Sequence, residues 1–264
     1  MTLRRAAARA LPALLLATAM LVAWEAYVRL SGVRPQVLPP PTRVLTEGWA
    51  FRDLIWAHLL PTLGETAIGF SLAILVGTAA AIVIDWSQAA RRALYPMLVA
   101  SQAIPVVAVA PLLVLWFGFG LLPKALVVAL VTFFPITVGW VDGFAATERA
   151  ASNLLRSMGA SRWQVFRLVR LPGALPSFFS GLRIAITYAV VGAIFAEYVG
   201  AKRGLGIFMQ LQQNSFRTDL VMAAVLVTAV LSVTLFLATA AVERLAIPWH
   251  AAARATRAEG EANR

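Results

Sequence analysis

The chain has 264 residues, of which 60% are apolar and only 13% are Asp, Glu, Lys or Arg, with a formal net charge of +11. Because soluble domains usually carry about 25% charged residues, this composition excludes an ordinary soluble enzyme and a disordered protein. The chain contains no cysteine, which excludes a disulfide scaffold and thiolate metal sites. The mean hydropathy of +0.79 indicates a membrane protein.

Six apolar runs approach the length of about 20 residues that a helix needs to cross a bilayer. The two-residue alternation of a β-barrel is absent, so we expect an all-α membrane protein folded as a six-helix bundle. In the third run, Pro105 and Pro111 predict a kink or break, which is either a passive bend or part of a pathway. The runs cover residues 10–28, 66–84, 93–122, 125–141, 177–196 and 220–242.

The basic residues are distributed unevenly between the two sides of these spans. If the N-terminus is cytoplasmic, 15 Lys and Arg residues lie inside and 8 outside, so the positive-inside rule favours both termini in the cytoplasm. Lipid headgroups then account for the positive charge without nucleic acid. Arg4, Arg5 and Arg9 before the first run also fit a cleaved signal peptide, but a retained helix gives an even number of spans.

The apolar runs divide the chain into four parts. Residues 1–30 form a cytoplasmic tail and the first span, 31–60 an external linker, 61–245 the transmembrane core, and 246–264 a cytoplasmic tail. The linker is rich in proline, which predicts an extended segment. It is expected to end in an amphipathic helix at the membrane interface, which carries Trp49, Phe51, Leu54 and Trp56.

The cytoplasmic loop at about residues 143–176 is long and basic, and its pattern predicts two short helices. Gly159 is expected to end the first helix with a positive φ, and Ser161 to cap the second. The apolar residues of this element either pack on the inner ends of the spans or in the headgroups, or contact a soluble partner. The element comprises Asn153, Leu154, Leu155, Ser157, Met158, Gly159, Ala160, Ser161, Trp163, Val165, Phe166, Val169 and, closing the second helix, Leu171 and Pro172.

The spacing within this loop is distinctive. Gly159 is followed after nine residues by Val169 and then by Arg170-Leu171-Pro172, which resembles the cytoplasmic signature loop of importer permeases of the ATP-binding cassette (ABC) superfamily. The Glu-Ala-Ala of that signature is replaced here by Asn153-Leu154-Leu155.

A second region supports the same resemblance. The stretch from Pro105 to Lys124, which includes Pro111-Leu112 and Trp116-Phe117-Gly118-Phe119-Gly120, is similar to the nitrate/sulfonate/taurine-type permeases of that superfamily. Phe134-Pro135 in the next span also fits them. Together the similar features cover residues 62–249.

The resemblance implies a type I ABC importer permease of the bacterial inner membrane, which is a transport subunit and not an enzyme. The sequence has no phosphate-binding loop, so a separate cytoplasmic ATPase would bind ATP and Mg²⁺ and contact the 153–172 element. The resemblance further implies an extracytoplasmic solute-binding protein and two permease copies, most simply a homodimer. An ATP-independent transporter or channel is the alternative.

Two segments point toward a substrate. Gly192–Ala201 followed by Gly204-Leu205-Gly206, and Ser215–Asp219, resemble the branch linked to uptake of hydroxymethylpyrimidine, a thiamine precursor, and of flavins. A pyrimidine-like heterocycle is therefore expected, with a sulfonate, taurine or nitrate as the alternative. The candidate pathway residues are Gln102, Phe133, Phe134, Tyr188 and Glu197.

Two of the polar side chains in or near the spans have a simpler interpretation. Glu197 is alternatively an interface residue paired with Lys202 or Arg203, and Arg183 a residue that reaches to the inner interface. His58 and His250 are too far apart in the predicted topology to form a metal site, so we expect no metal centre.

Overall fold

The computed structural model describes residues 3–249 and, among these, the side chains of residues 11–148 and 150–249. Within this part of the chain the regular elements are helices, and no strand is present. The side chains of Arg4, Arg5 and Arg9, and the predicted tail from His250 onward, lie outside the described positions.

The helices follow one another with short connections, and a π-helical turn at Phe166–Arg170 joins the eighth to the ninth. In chain order they are α1 (Leu3–Ser31), α2 (Pro41–Ala50), α3 (Arg52–Trp86), α4 (Gln88–Ser101), α5 (Val106–Phe117), α6 (Leu121–Ala146), α7 (Arg149–Ser157), α8 (Arg162–Val165), α9 (Leu171–Gly200), α10 (Leu205–Asn214) and α11 (Thr218–Ala246).

Five helical segments of the described chain are long and apolar enough to cross a membrane, and α4 with α5 makes a sixth if the pair counts as one span. This pair is bent by 99°, and Pro105 stands directly before α5. The break at Pro105 confirms the prediction, because proline lacks an amide donor and disfavours helix in the residue before it. Pro111 lies inside α5 without ending it.

The centre of the bundle is the packing of α6 on α9 and on α3. Gly181 on α9 lies so close to α6 that a Cβ there would overlap the carbonyl oxygen of Pro135. Gly69 on α3 is equally close, since a Cβ would lie 2.5 Å from Cβ of Val128 on α6. Small residues therefore allow the three helix backbones to approach closely, as in other membrane helix bundles.

The two ends of the bundle differ. The segment from α7 to the π-helical turn lies at one end, here called the loop end, where Trp163 contacts Trp86 at the end of α3. The opposite end carries α2 and α10. There Asp219, only 2% exposed, bonds to both Arg43 and Arg217 at 3.0 Å, which fastens α2 to the start of α11.

Two predicted boundaries are wrong. α3 begins at Arg52, so Leu54 and Trp56 belong to the second span, while Trp49 lies on α2 and Phe51 between the two helices. Leu171-Pro172 does not close the second short helix but opens α9. Proline is well tolerated in the first helical turn, where its missing donor would have no partner, and the π-helical turn continues the chain into α9.

Candidate functional site

The helix–glycine–helix element at the loop end forms as predicted. Gly159 follows Met158, the residue that caps the end of α7, and adopts φ +86°. Ser161 Oγ accepts a hydrogen bond from the amide of Gln164 at 3.3 Å, and Gln164 Oε1 accepts one from the amide of Ser161 at 2.7 Å. This capping box satisfies two amide donors that the helix itself leaves unpaired, so the start of α8 is fixed by local bonds.

Aromatic side chains attach this element to the bundle. The buried ring of Phe166 contacts Trp86 of α3 at a centroid distance of 5.9 Å and Phe144 of α6 at 5.6 Å. Phe144 in turn stacks on Trp140 at 5.4 Å, and Trp140 on Phe178 of α9 at 4.2 Å. The rings form a continuous packed path from the loop end into the core of the bundle.

A polar contact reinforces this attachment. Arg170 in the π-helical turn places Nη2 2.7 Å from Oδ1 of Asp85 on α3 and donates to the carbonyl oxygen of Phe144 at 3.3 Å. The Asp85 side chain is only 8% exposed. Such a shielded, charge-assisted bond is stronger than a surface ion pair, so α3, α6 and the turn are held together.

The outward side of the same element is apolar. Val165 and Phe166 are buried against the bundle, whereas four other apolar side chains of the element, here called the exposed apolar face, are each more than half exposed. They are Leu154 (63% exposed), Met158 (74%), Trp163 (56%) and Leu168 (63%). Packing on the inner ends of the spans is therefore confirmed for Val165 and Phe166, whereas contact of the exposed side chains with a soluble partner stays a prediction.

A cavity of 830 Å³ lies between α6 and α9, within the range of small-molecule sites. Its lining residues recur every three or four positions on each helix, so one face of each helix forms it. They are Val131, Phe134, Pro135, Val138, Gly139 and Asp142 on α6, Pro176, Ser177, Ser180, Gly181, Ile184 and Tyr188 on α9, and Gln102 at the break between α4 and α5.

The structure brings three of the five candidate pathway residues to this cavity and places two elsewhere. Gln102, Phe134 and Tyr188 line it. Phe133, the neighbour of Phe134, lies on another side of α6, where it lines a separate pocket with Leu98 and Ile104, because successive helix residues are about 100° apart. The sequence analysis missed Asp142, which lines the cavity; its spacing of four and eight residues from Val138 and Phe134 could have indicated it.

Glu197 belongs to a buried cluster at the opposite end of the bundle. Its side chain is inaccessible to solvent, Oε1 accepts from Thr62 Oγ1 at 2.5 Å, and Oε2 accepts from the amide of Gly206 at 2.5 Å. The interpretation of Glu197 as an interface residue paired with Lys202 or Arg203 is wrong. Those two side chains are exposed, whereas the carboxylate faces inward because α10 folds back over it.

A second carboxylate lies beside this cluster. Glu65 on α3 is 4% exposed and lies 2.5 Å from Nζ of Lys124 on α6. Lys124 is therefore a buried partner and not an external loop residue. The contacts between Glu65, Thr62, Lys124 and Glu197 join α3, α6 and α9, and the amides of Leu205 and Gly206 add α10. Such pairing is needed because an unpaired buried charge is costly.

The Gly204-Leu205-Gly206 segment closes over Glu197. Gly204 has φ +140°, and a Cβ at that position would overlap the carboxyl group of Glu197. The amide of Gly204 also lies 3.1 Å from Nδ1 of His58. A glycine is required here both by the backbone conformation and by the close approach.

Other polar residues also have partners. Arg183 is not an unpaired residue at the inner interface, since its Nη1 lies 2.7 Å from Oε2 of Glu243 on α11. His58 contacts the Gly204 backbone and the ring of Phe208. Among the residues that the structure describes, no group of His, Asp and Glu is arranged to hold a metal ion.

The comparisons with known proteins agree with this architecture. The family described as "Binding-protein-dependent transport system inner membrane component" matches residues 69–248. A solved structure titled as inward-facing conformations of the MetNI methionine ABC transporter has a chain that superposes with a TM-score of 0.64 at 17% identity, over 73% of this chain and 97% of that one. At that identity the likeness concerns the fold.

Three relatives are similar over most of their length. The formylaminopyrimidine transport permease protein ThiX of Halalkalibacterium halodurans is 39% identical and covers 87% of this chain and 92% of the relative. The riboflavin transport system permease protein RibX of Chloroflexus aurantiacus is 38% identical, with 88% and 87% covered. The taurine transport system permease protein TauC of Escherichia coli is 33% identical, with 88% and 86% covered.

These matches confirm the resemblance, the all-helical permease fold, and a role in transport and not in catalysis. The family has no cofactor of its own, and its description ties its members to a binding protein and to the inner membrane of bacteria. The chain is a member of the binding-protein-dependent transport system inner membrane component family, the permease subunits of ABC transporters.

Proposed function

We propose that this chain is the permease subunit of an ATP-driven importer and that a separate cytoplasmic ATPase binds the exposed apolar face. The observation that carries the proposal is that the side chains of this face are exposed, while the element that bears them is attached to the spanning helices. Met158 is 74% exposed, while Phe166 and Arg170 of the same element contact α3 and α6. A partner that moved this face would therefore move the spanning helices with it.

The energy source follows from what the sequence does and does not contain. The full sequence has no G-x-x-x-x-G-K-[ST] motif, whose backbone amides and lysine would bind nucleotide phosphates. ATP and Mg²⁺ therefore bind to the partner ATPase. The loop end and both termini face the cytoplasm, in keeping with the excess of basic residues on that side, and the solute-binding protein docks at the opposite end.

The pathway forms between two copies of the chain. In a single copy the cavity between α6 and α9 is open on one side, where Ile184 and Tyr188 are each 53% exposed. A second copy related by a two-fold axis would cover this open side of the cavity with the same surface of its own. This makes a homodimer the simplest assembly, with one ATPase on each loop end.

The solute is a pyrimidine-like heterocycle. The relatives named for formylaminopyrimidine and riboflavin transport are 39% and 38% identical to the chain, against 33% for the one named for taurine transport. Phe134, Tyr188 and Gln102 on the cavity wall offer aromatic surface and amide hydrogen bonds that suit a planar heterocycle. A sulfonate or taurine solute is the second candidate, favoured by the taurine-transport relative.

The ATPase site is tested by a charge on the exposed apolar face. Met158→Glu, in the chain co-expressed with its partner ATPase, should weaken ATPase binding at least about tenfold, because a buried interface position does not accept an unpaired charge. Val37→Glu is the matched control, since Val37 is 72% exposed on the opposite end. Equal ATPase recovery for both variants would contradict the assignment.

The solute is tested by uptake into vesicles that hold the permease, its ATPase and ATP, supplied with the binding protein. The panel is hydroxymethylpyrimidine, thiamine, riboflavin, taurine and nitrate. We expect ATP-dependent uptake of one of the heterocycles. Uptake of taurine or nitrate alone would contradict the assignment of a heterocycle as the solute and leave the transporter assignment intact.

A further inference from the structure

The wall of the cavity carries a single formal charge at neutral pH among its described lining residues, the carboxylate of Asp142. Val131 and Asp142 line the same cavity on α6, and at 1.5 Å per residue they are about 16 Å apart along the helix. Asp142 therefore marks the end of the cavity nearest the loop end, while Val131 marks the end nearest the middle of the span.

Two arginines, one on α9 and one in the turn before it, are paired with carboxylates other than Asp142. Arg170 lies 2.7 Å from Asp85, and Arg183 lies 2.7 Å from Glu243 on α11. Asp142 is exposed, and it has no ion pair among the side chains of residues 11–148 and 150–249. The charged group on the described lining of the cavity is therefore a carboxylate without an ionic partner among these side chains.

We propose, on the basis that this cavity is the solute pathway of the proposed function, that Asp142 selects solutes that carry an amino or other cationic nitrogen group and rejects anions. A carboxylate is only an acceptor, and its bonds to charged N–H donors are about twice as strong as bonds between neutral groups. A cationic group of the solute is therefore attracted to this carboxylate, and an anion is repelled by it.

The rest of the wall suits the remainder of such a solute. Phe134 and Pro135 present apolar surface to a planar ring, and Ser177 on α9 supplies a hydroxyl to the same cavity. Gln102 and Tyr188 add further polar groups to its wall. The arrangement of one charge and several neutral hydrogen-bonding groups around an apolar wall fits an amino-substituted heterocycle better than a sulfonate.

The test is binding to the purified full chain in detergent, with two planar probes of matched shape and opposite charge, benzamidinium and benzoate. Each probe is titrated to about 20 mM, which is 20-fold above a dissociation constant of about 1 mM. The melting temperature of the chain is measured at each concentration. The wild-type chain should be stabilised by benzamidinium and not by benzoate. Asp142→Asn should weaken benzamidinium binding about tenfold, the loss of one charge-assisted bond.

Two further variants separate charge from folding. Asp142→Glu keeps the charge and should retain benzamidinium binding within about threefold, the scatter expected from a change of side-chain length. Asp53→Asn removes a carboxylate that is 92% exposed on α3 and should bind like the wild type. Equal benzamidinium binding by the wild-type chain and Asp142→Asn, a preference for benzoate, or no response to either probe would each overturn the proposal.

Because this measurement needs no ATPase, binding protein or uptake, its failure is distinguishable from failure of the proposed function. Vesicles that take up solute with ATP while Asp142→Asn binds both probes like the wild type would retain the importer and remove the role of Asp142. The opposite result, with charge-selective binding but no ATP-driven uptake, would retain the site and remove the importer.

Discussion

Nη2 of Arg170 lies 2.7 Å from Oδ1 of Asp85, which joins the π-helical turn behind the exposed apolar face to the last turn of α3. The two residues are 85 positions apart in the chain. Their contact is polar, short and mostly shielded from solvent, next to the aromatic contacts of Phe166 with Trp86 and Phe144. In the proposed function this is where movement of an ATPase would be passed to the spanning helices.

The first prediction concerns this ion pair. Asp85→Asn should destabilise the chain by about 1–3 kcal/mol, because Arg170 then lacks its charged partner in a shielded position. It should also lower the transport supported by each ATP hydrolysed. Arg52 and Asp53 form the matched control, an exposed pair at 3.8 Å, and Asp53→Asn should change stability by less than about 0.5 kcal/mol. Identical melting temperatures for the two variants would contradict the importance of the Asp85 contact.

The second prediction concerns Gly159. A Cβ there would meet nothing within 4 Å, so a substitution acts only through φ +86°. Gly159→Val should cost about 1–3 kcal/mol at this turn and reduce transport and ATPase binding while the protein still inserts. Gly159→Asn should be milder, since asparagine tolerates positive φ better than valine.

The control for Gly159 is Gly64→Ala, at a helical glycine that also has open space around it. That variant should be neutral or slightly stabilising, because alanine is the better helix former. ATPase co-purification and uptake are the two measurements. Normal values for Gly159→Val would show that the turn conformation does not matter for coupling.

The third prediction separates strain from overlap at the opposite end of the bundle. Gly204→Ala should destabilise the chain more than Gly32→Ala. Both glycines have positive φ, but only Gly204 has the carboxyl group of Glu197 where a Cβ would lie. The Gly32 variant should lose only about 1–2 kcal/mol from its backbone conformation. Thermal unfolding in detergent measures both, and an equal loss would mean that α10 moves away from Glu197 without cost.

The fourth prediction concerns orientation. Reporter fusions after Asn214 should lie outside, because they follow α10 at the opposite end, and fusions after Trp249 should lie inside. The excess of basic residues in the predicted cytoplasmic segments motivates this orientation. A reversed result at both positions would place the exposed apolar face outside the cell, where no ATPase could reach it.

Local features of the structure were predictable from the sequence, and contacts between distant residues were not. The glycine turn at Gly159 and the cap at Ser161 depend on neighbours within a few residues, and both form as expected. Pro172 was misassigned because a proline near a helix end is equally compatible with the end of one helix and the first turn of the next.

The buried polar cluster could not be predicted from the sequence, because its partners are distant in the chain. Glu65 and Lys124 are 59 residues apart, and Thr62 and Glu197 are 135 apart. In the sequence each of these residues lies near the end of an apolar run, where water could solvate it. Only the packing of α3, α6, α9 and α10 shows that they are partners. Asp142 was overlooked for a related reason, since its place on a cavity wall depends on which face of α6 meets α9.

The central claim is that transport by this chain is driven by ATP hydrolysis through the 153–172 element. It is tested most directly by uptake into vesicles that contain the permease and its ATPase, with ATP supplied or withheld and with ion gradients imposed or collapsed. We predict uptake that requires ATP, persists without an ion gradient, and is reduced in Gly159→Val. Uptake that continues without ATP and follows an ion gradient would contradict it.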